Sequence, residues 1–213
     1  MRLLGKVAEA VMVGNCVDDP QLNRDWLSKA RKKRCIQRFA DSFHAIGTGL
    51  HSTKRNYPHK YSPSDTQRDI IWINMDGECA LMANGHTTSG IVAGLQVKVS
   101  GNGINYIKKA LLTRRYEVPL VYFPINDDFY RILDTVNKNG IIVEPRIDYI
   151  DVRELDEAAF LEISDYYPLL YDLFSGQMTG DEFVREATSI IPLRNGIIAT
   201  TMSVPASDIS IIH

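Results

Sequence analysis

Two residues apart in Gly94-Leu95-Gln96-Val97-Lys98-Val99-Ser100, an amide and an ammonium interrupt an otherwise apolar run. Alternate side chains of a strand share a face, so Gln96 and Lys98 point one way while Leu95, Val97 and Val99 point the other. Polar groups set into one face of a strand mean that the opposite face is core and the polar face is wet or forms a site. The plainer alternative is a half-exposed strand with a snorkelling lysine. An acid upstream shifts the balance. Asp69 stands directly before Ile70-Ile71-Trp72-Ile73, a β-branched and aromatic run that reads as a strand. If that strand pairs antiparallel with residues 92–99, Asp69 lies beside Gln96 and Lys98, and an acid, an amide oxygen and an ammonium converge.

With that spacing, Asp69 followed by Gln96-Val97-Lys98 resembles the PD-(D/E)XK nuclease superfamily, in the branch where glutamine replaces the second acid. The resemblance extends in order over roughly the first two-thirds of the chain. Gly5-Lys6-Val7-Ala8-Glu9-Ala10-Val11 is similar to the family's first helix, which often carries a glutamate facing the site. Tyr106-Ile107 opens a helical stretch after the motif, and Val118-Pro119-Leu120-Val121-Tyr122-Phe123-Pro124 resembles the buried strand that closes the family's core. The fold implied is α/β: a restriction-endonuclease-like core over residues 1–153, with a central mixed sheet flanked by helices, and a C-terminal helical extension and tail over 154–213. Asp76-Gly77-Glu78 offers two other acids. Asp69 is preferred because it precedes the strand, whereas Asp76-Gly77 is accounted for as turn chemistry; Asp76 and Glu78 stay open as alternatives.

Phosphodiester hydrolysis needs an activated water, neutralisation of charge on the phosphate and help for the leaving oxygen, all of which a divalent ion supports. Mg²⁺, or Mn²⁺ in its place, prefers oxygen ligands, keeps several waters and needs only one or two protein carboxylates. Asp69 is the principal expected ligand. Gln96 can offer its carbonyl or bond a metal-bound water, and the resemblance implies a contribution from the Val97 backbone carbonyl. Replacing an acid by Gln96 removes a charge, which draws Glu9 in as a second acid. Lys98 is expected beside the attacking water and the scissile phosphate, and Ser100 is a weaker phosphate contact.

The elements that must position these groups are legible in part. Leu4, Val7, Ala8 and Val11 have helical spacing; Glu9 falls off that stripe, so its other reading is a solvated helix residue. Asp18-Asp19-Pro20 marks a turn or a helix start. Residues 23–43 read as helical, with Lys29, Arg31, Lys32, Lys33, Arg34 and Arg38 as a phosphate-contacting surface or simply a solvated face. Residues 47–67 lack periodicity and read as a long loop before the acid. A second positive surface follows the motif, where residues 104–115 return to helical spacing with Lys108, Lys109, Arg114 and Arg115. Asn126-Asp127-Asp128 can cap a helix over 129–136 that Asn139-Gly140 ends. Short strands are expected at 141–143 and 147–152, and helices at 155–174 and 180–187. Tyr166, Tyr167, Tyr171 and Phe174 read as core rather than a stacking platform.

Composition sets the outer bounds. A chain of 213 residues with 45% hydrophobic and 23% charged residues carries one sizeable core, or one domain with an appendage. A net charge of -2 gives no global pull toward nucleic acid, so such binding must be local. No stretch is apolar enough to span a bilayer and the N-terminus lacks a signal-peptide pattern, so the expected compartment is the cytoplasm. Cys16, Cys35 and Cys79 are odd in number and widely spaced, which argues against disulfides and zinc; His44, His51 and His59 read as surface residues. The expected function is a metal-dependent nuclease acting on DNA, of a restriction or anti-phage kind. The alternative is a catalytically inactive, nuclease-like subunit that binds nucleic acid or protein. No ATP-binding Gly-x-x-x-x-Gly-Lys is visible, so a motor or helicase would be a separate partner, and cutting both strands would favour a homodimer.

Overall fold

The computed structural model describes residues 2–85 and 87–190. Its strands in chain order are β1 (His44–Gly47), β2 (Ile70–Ile73), β3 (Leu81–Asn84), β4 (Thr87–Val92), β5 (Gly94–Ser100), β6 (Leu120–Pro124) and β7 (Tyr149–Asp151). Five of them form one mixed sheet in the order β1-β2-β5-β6-β7, and β3 with β4 form a separate hairpin. The pairs β1·β2 and β2·β5 are antiparallel, whereas β5·β6 and β6·β7 are parallel. The helices are α1 (Arg2–Asp18), α2 (Pro20–Ala30), α3 (Gln37–Ala40), α4 (His51–Asn56), α5 (Tyr106–Leu112), α6 (Phe129–Lys138), α7 (Glu157–Phe174) and α8 (Gly180–Ile190). The chain is therefore an α/β protein with helices on both faces of a mixed sheet.

Strand parity decides which helix covers which face. Leu95 and Val97 of β5, Val121 and Phe123 of β6 and Ile150 of β7 share one core with Val7, Ala8, Val11 and Met12 of α1, Trp26 and Leu27 of α2 and Ile163 and Tyr166 of α7. Leu120, Tyr122 and Tyr149 look the other way, onto Ile107 and Leu111 of α5 and Ile132 and Val136 of α6. Each parallel crossover needs a helix, and α5 and α6 supply them. At the β1/β2 half, Ile46, Ile71 and Ile73 form a small third cluster on the same side as α5. A buried polar bridge fixes this half to α2: Trp72 Nε1 donates to Asn23 Oδ1 at 2.8 Å, and Asn23 Nδ2 donates to the Phe43 carbonyl at 2.9 Å.

Several elements differ from the sequence reading. Helix α2 ends at Ala30, because Lys32 takes a left-handed conformation (φ 53°), so 23–43 is not one helix and the basic cluster is split between the end of α2 (Lys29), the segment after it (Arg31, Lys32, Lys33 and Arg34) and α3 (Arg38). The interval 47–67 holds α4 and a 3₁₀ turn over Pro58–Lys60. Residues 141–143 form no strand; Val143 is simply buried under α6. Helix α7 packs on α1, Asn15 Nδ2 donating to Asp156 Oδ1 at 3.0 Å near its start. The expected tail from 191 onward lies outside the described residues. Among those described, no helix is long and apolar enough to cross a membrane.

Candidate active site

The backbone around Asp69 is held from both sides. Its N–H donates to the Leu95 carbonyl at 2.9 Å, and its own carbonyl accepts from Thr48 N–H at 2.8 Å. Thr48 Oγ1 donates to the Arg68 carbonyl at 2.8 Å, and Asp65 Oδ1 accepts from the N–H groups of Gln67 and Arg68 to set the turn just upstream. Because Ile70 faces the α1 core, Asp69 must face the α5 side, and this is the side of Gln96 and Lys98.

The three side chains meet there. Gln96 Nε2 and the Val97 N–H both donate to Asp69 Oδ2, the latter at 2.8 Å, and Lys98 Nζ lies 3.8 Å from the same oxygen. This is possible because β2 pairs with β5 only at Ile70↔Leu95 and Ile71↔Gly94, which leaves the next part of the β5 edge to the Asp69 side chain. Asp69 and Lys98 keep 19% and 18% of their side-chain surface open to solvent, while Gln96 is buried. Burial raises the Asp69 pKa, opposed by Lys98 and the Val97 N–H; burial lowers that of Lys98, opposed by Asp69.

Glu9 comes in from the opposite side of the sheet edge. It is 1% exposed, not solvated, because Gly47 and Gly49 at the end of β1 close over it. Its Oε2 accepts from Lys6 Nζ at 2.6 Å and its Oε1 from Gly49 N–H at 3.0 Å. Gly47 makes this approach possible, since a Cβ there would stand 2.5 Å from Glu9 Oε1. Burial raises the Glu9 pKa to about 7, with Asp69 adding to the rise and Lys6 opposing it. Lys6 is also felt at Asp69 and Lys98, so two acids and two ammoniums make up one electrostatic cluster.

The donor set suits a hard divalent ion. Gln96 Oε1 is buried without a hydrogen-bond partner, an unusual condition for a carbonyl oxygen, and it belongs to the amide whose Nε2 meets the Asp69 carboxylate. N–H and C=O of one strand residue point to the same side, so the Val97 carbonyl is directed toward the edge that Asp69 occupies. Oxygens from Asp69, Gln96 and Val97, completed by water, fit Mg²⁺. Among the described residues no group of three or more His, Cys, Asp or Glu converges, so a carboxylate-rich site is not what these residues build.

The chain matches no protein-family model, no curated protein and no solved structure.

The remaining candidates fall elsewhere. Asp76 and Glu78 sit past the far end of β2, in a turn where Asn74 Oδ1 accepts from both their N–H groups and Gly77 has φ 78°. Ser100 is buried, and its Oγ accepts from Asn102 N–H. Lys108 and Lys109 lie on α5, which covers the face carrying Gln96 and Lys98. Lys29, Arg31, Lys32 and Lys33 belong to the α2 side, and each is tied to a neighbouring segment: Lys29 Nζ to the Arg146 carbonyl, Arg31 Nε to the Leu81 carbonyl of β3, Lys32 Nζ to the Asp148 carboxylate and Lys33 Nζ to the Gly85 carbonyl. Arg34 and Arg38 are exposed. Sequence reasoning placed Arg115 in the second positive surface but missed Lys6 and Tyr116. Lys98 Nζ and the Arg115 guanidinium each lie 5.5 Å from the Tyr116 ring centroid. A lysine one helical turn before a candidate glutamate was the available signal for Lys6; for Tyr116 there was none, because a loop brings it to Lys98.

Proposed function

We propose that this chain is a metal-dependent nuclease with a restriction-endonuclease-like fold, acting on DNA phosphodiesters. The observation that carries the reading is the meeting of Asp69, Gln96 and Lys98 on one sheet face, with Lys98 Nζ 3.8 Å from Asp69 Oδ2 and the Gln96 carbonyl without a partner. The element order and the antiparallel β1-β2-β5 half joined to a parallel β5-β6-β7 half support the fold part of it.

Asp69, Gln96 and the Val97 carbonyl would hold Mg²⁺ or Mn²⁺, which supplies charge neutralisation and a more acidic bound water. Lys98 binds a non-bridging phosphate oxygen and orients the attacking water; its partial burial strengthens that contact. The Val97 N–H and the Gln96 amide fix the Asp69 carboxylate in one rotamer. Glu9 stands behind them as a second acid, its pKa raised by burial to about 7 against the opposing pull of Lys6 and the Gly49 N–H.

Cleavage of plasmid and oligonucleotide DNA with Mg²⁺ or Mn²⁺ tests this. Asp69→Asn and Lys98→Met should each lose about 100-fold or more in rate while melting near the wild-type temperature. Calorimetric absence of Mg²⁺ and Mn²⁺ binding to wild type, with no cleavage of DNA, would leave the inactive binding subunit as the correct reading.

A further inference from the structure

Helix α5 ends in a Schellman turn: Arg115 N–H donates to the Ala110 carbonyl at 3.0 Å and Arg114 N–H to the Leu111 carbonyl at 3.1 Å. The residue in the left-handed position is Arg114, with φ 45°, where glycine is the unstrained choice. A long cationic side chain at a strained backbone position points to a role for that side chain. The turn also carries the chain directly to the candidate centre. Arg115 is exposed, Tyr116 half-buried, and the Tyr116 ring joins the Arg115 guanidinium to Lys98 Nζ, each 5.5 Å from its centroid. Tyr106, at the start of α5 and 48% exposed, interacts with the Tyr116 phenol.

Cations outnumber acids on this surface, where the exposed Glu117 follows Tyr116. Residues 101–116 contain Lys108, Lys109, Arg114 and Arg115 and no Asp or Glu. Among the described residues, none of these four side chains forms an ion pair or a hydrogen bond. Free cations next to an open aromatic ring are what a single strand requires, because phosphates take the cations and an unpaired base presents a face on which tyrosine can stack. A duplex hides its base faces and would use the cations alone.

We propose that the end of α5, formed by Arg114, Arg115 and Tyr116 beside Tyr106, binds an unpaired stretch of a nucleic-acid strand and leads its phosphate to Lys98, a role that rests on reading the Asp69–Lys98 centre as a nuclease. The strand's base stacks on Tyr106, and successive phosphates lie along Arg114 and Arg115.

Fluorescence anisotropy of the full chain in chelator tests binding without turnover, using a labelled single-stranded oligonucleotide and a blunt duplex of the same sequence. The single strand should bind at least about tenfold more tightly; Tyr106→Ala and Arg115→Gln should each weaken it about tenfold. Arg114→Gly should weaken it several-fold and raise the melting temperature, since glycine suits the backbone there. Equal or tighter duplex binding, or unchanged affinity in all three variants, overturns the surface. Cleavage is scored separately with Mg²⁺. Wild type that binds single strand as expected yet never cuts removes the nuclease reading and keeps the surface; cutting with the same KM in all three variants removes the surface and keeps the nuclease.

Discussion

Helices α2 and α5 end alike. Each closes in a Schellman turn, Lys33 N–H donating to the Ser28 carbonyl in one and Arg115 N–H to the Ala110 carbonyl in the other, and each puts a basic residue, Lys32 or Arg114, at positive φ. Counted by residue, α2's end is the more basic, with six cations in 29–38 against four in 101–116. Their surroundings reverse that order. At α2's end four cations hold neighbouring segments through the carbonyls of Leu81, Gly85 and Arg146 and the Asp148 carboxylate. At α5's end the charges stay unpaired, and one touches the ring that contacts Lys98. A cation already engaged with a buried or loop carbonyl contributes to stability; an unpaired one beside a site is left for an anion. Charge density in sequence therefore marks where cations are, and only packing tells which are spent on the fold.

The largest separation of stability from binding is open through pH. Glu9 has its folded pKa raised from 4.5 to about 7. The folded state then holds a proton that the unfolded state releases, so stability falls as pH rises between these values. The loss is absent below about 4.5 and complete above about 7, and amounts to roughly 3 kcal/mol. Urea midpoints from pH 4 to 8 should show this fall in wild type and a flatter profile in Glu9→Gln. Parallel profiles would mean that Glu9 is not the group responsible. Oligonucleotide affinity in chelator, governed by α5's end, should not follow the same curve.

A second separation is mutational. Arg31→Ala removes the 2.9 Å bond to the Leu81 carbonyl and the guanidinium lying 4.2 Å from the Phe39 ring centroid. Denaturant midpoints should show a loss of about 2 kcal/mol, with oligonucleotide affinity within twofold of wild type. Arg115→Ala should do the reverse, costing less than about 0.5 kcal/mol and weakening the single strand. If Arg31→Ala instead weakens binding and leaves the midpoint alone, α2's end is the interface and the contrast between the two helices is inverted.

The centre of the site was legible because strand parity is a strict rule. Once 70–73 and 94–100 read as antiparallel neighbours, Asp69, Gln96 and Lys98 had to share a face, whatever the loops did. Helical periodicity was weaker evidence for Glu9: the stripe of Leu4, Val7, Ala8 and Val11 leaves it outside, and its burial comes from Gly47 and Gly49 at the end of β1, a segment distant in sequence. Strand β1 was hidden because four residues following Phe39 and Phe43 carry too little pattern, and its pairing with β2 spans a long loop. The β3–β4 hairpin was hidden for a similar reason, since Thr87–Val92 faces solvent along most of its length. Residues 141–143 misled in the other direction. Their β-branched run has local strand propensity, but it pairs with no strand: Val143 is buried under α6 while Ile142 is 79% exposed.

The smallest predicted effect compares the two left-handed residues directly. Arg114→Gly relieves strain and has no folded-state partner to lose, so it should raise stability by about 0.5–1 kcal/mol. Lys32→Gly relieves the same strain but breaks the 2.5 Å pair with Asp148, whose side chains are 31% and 39% exposed. At such exposure the pair contributes only about 0–1 kcal/mol, so Lys32→Gly should lie within about 0.5 kcal/mol of wild type. The gap between the twin variants isolates the tether, because the backbone change is common to both. Screening attacks only the ion pair, so the gap should narrow as salt rises from 0.05 to about 1 M. Melting curves of both variants across that range decide it. Equal shifts at low salt would mean that Lys32 gains nothing from Asp148, and its charge would then be as available to a phosphate as that of Arg114.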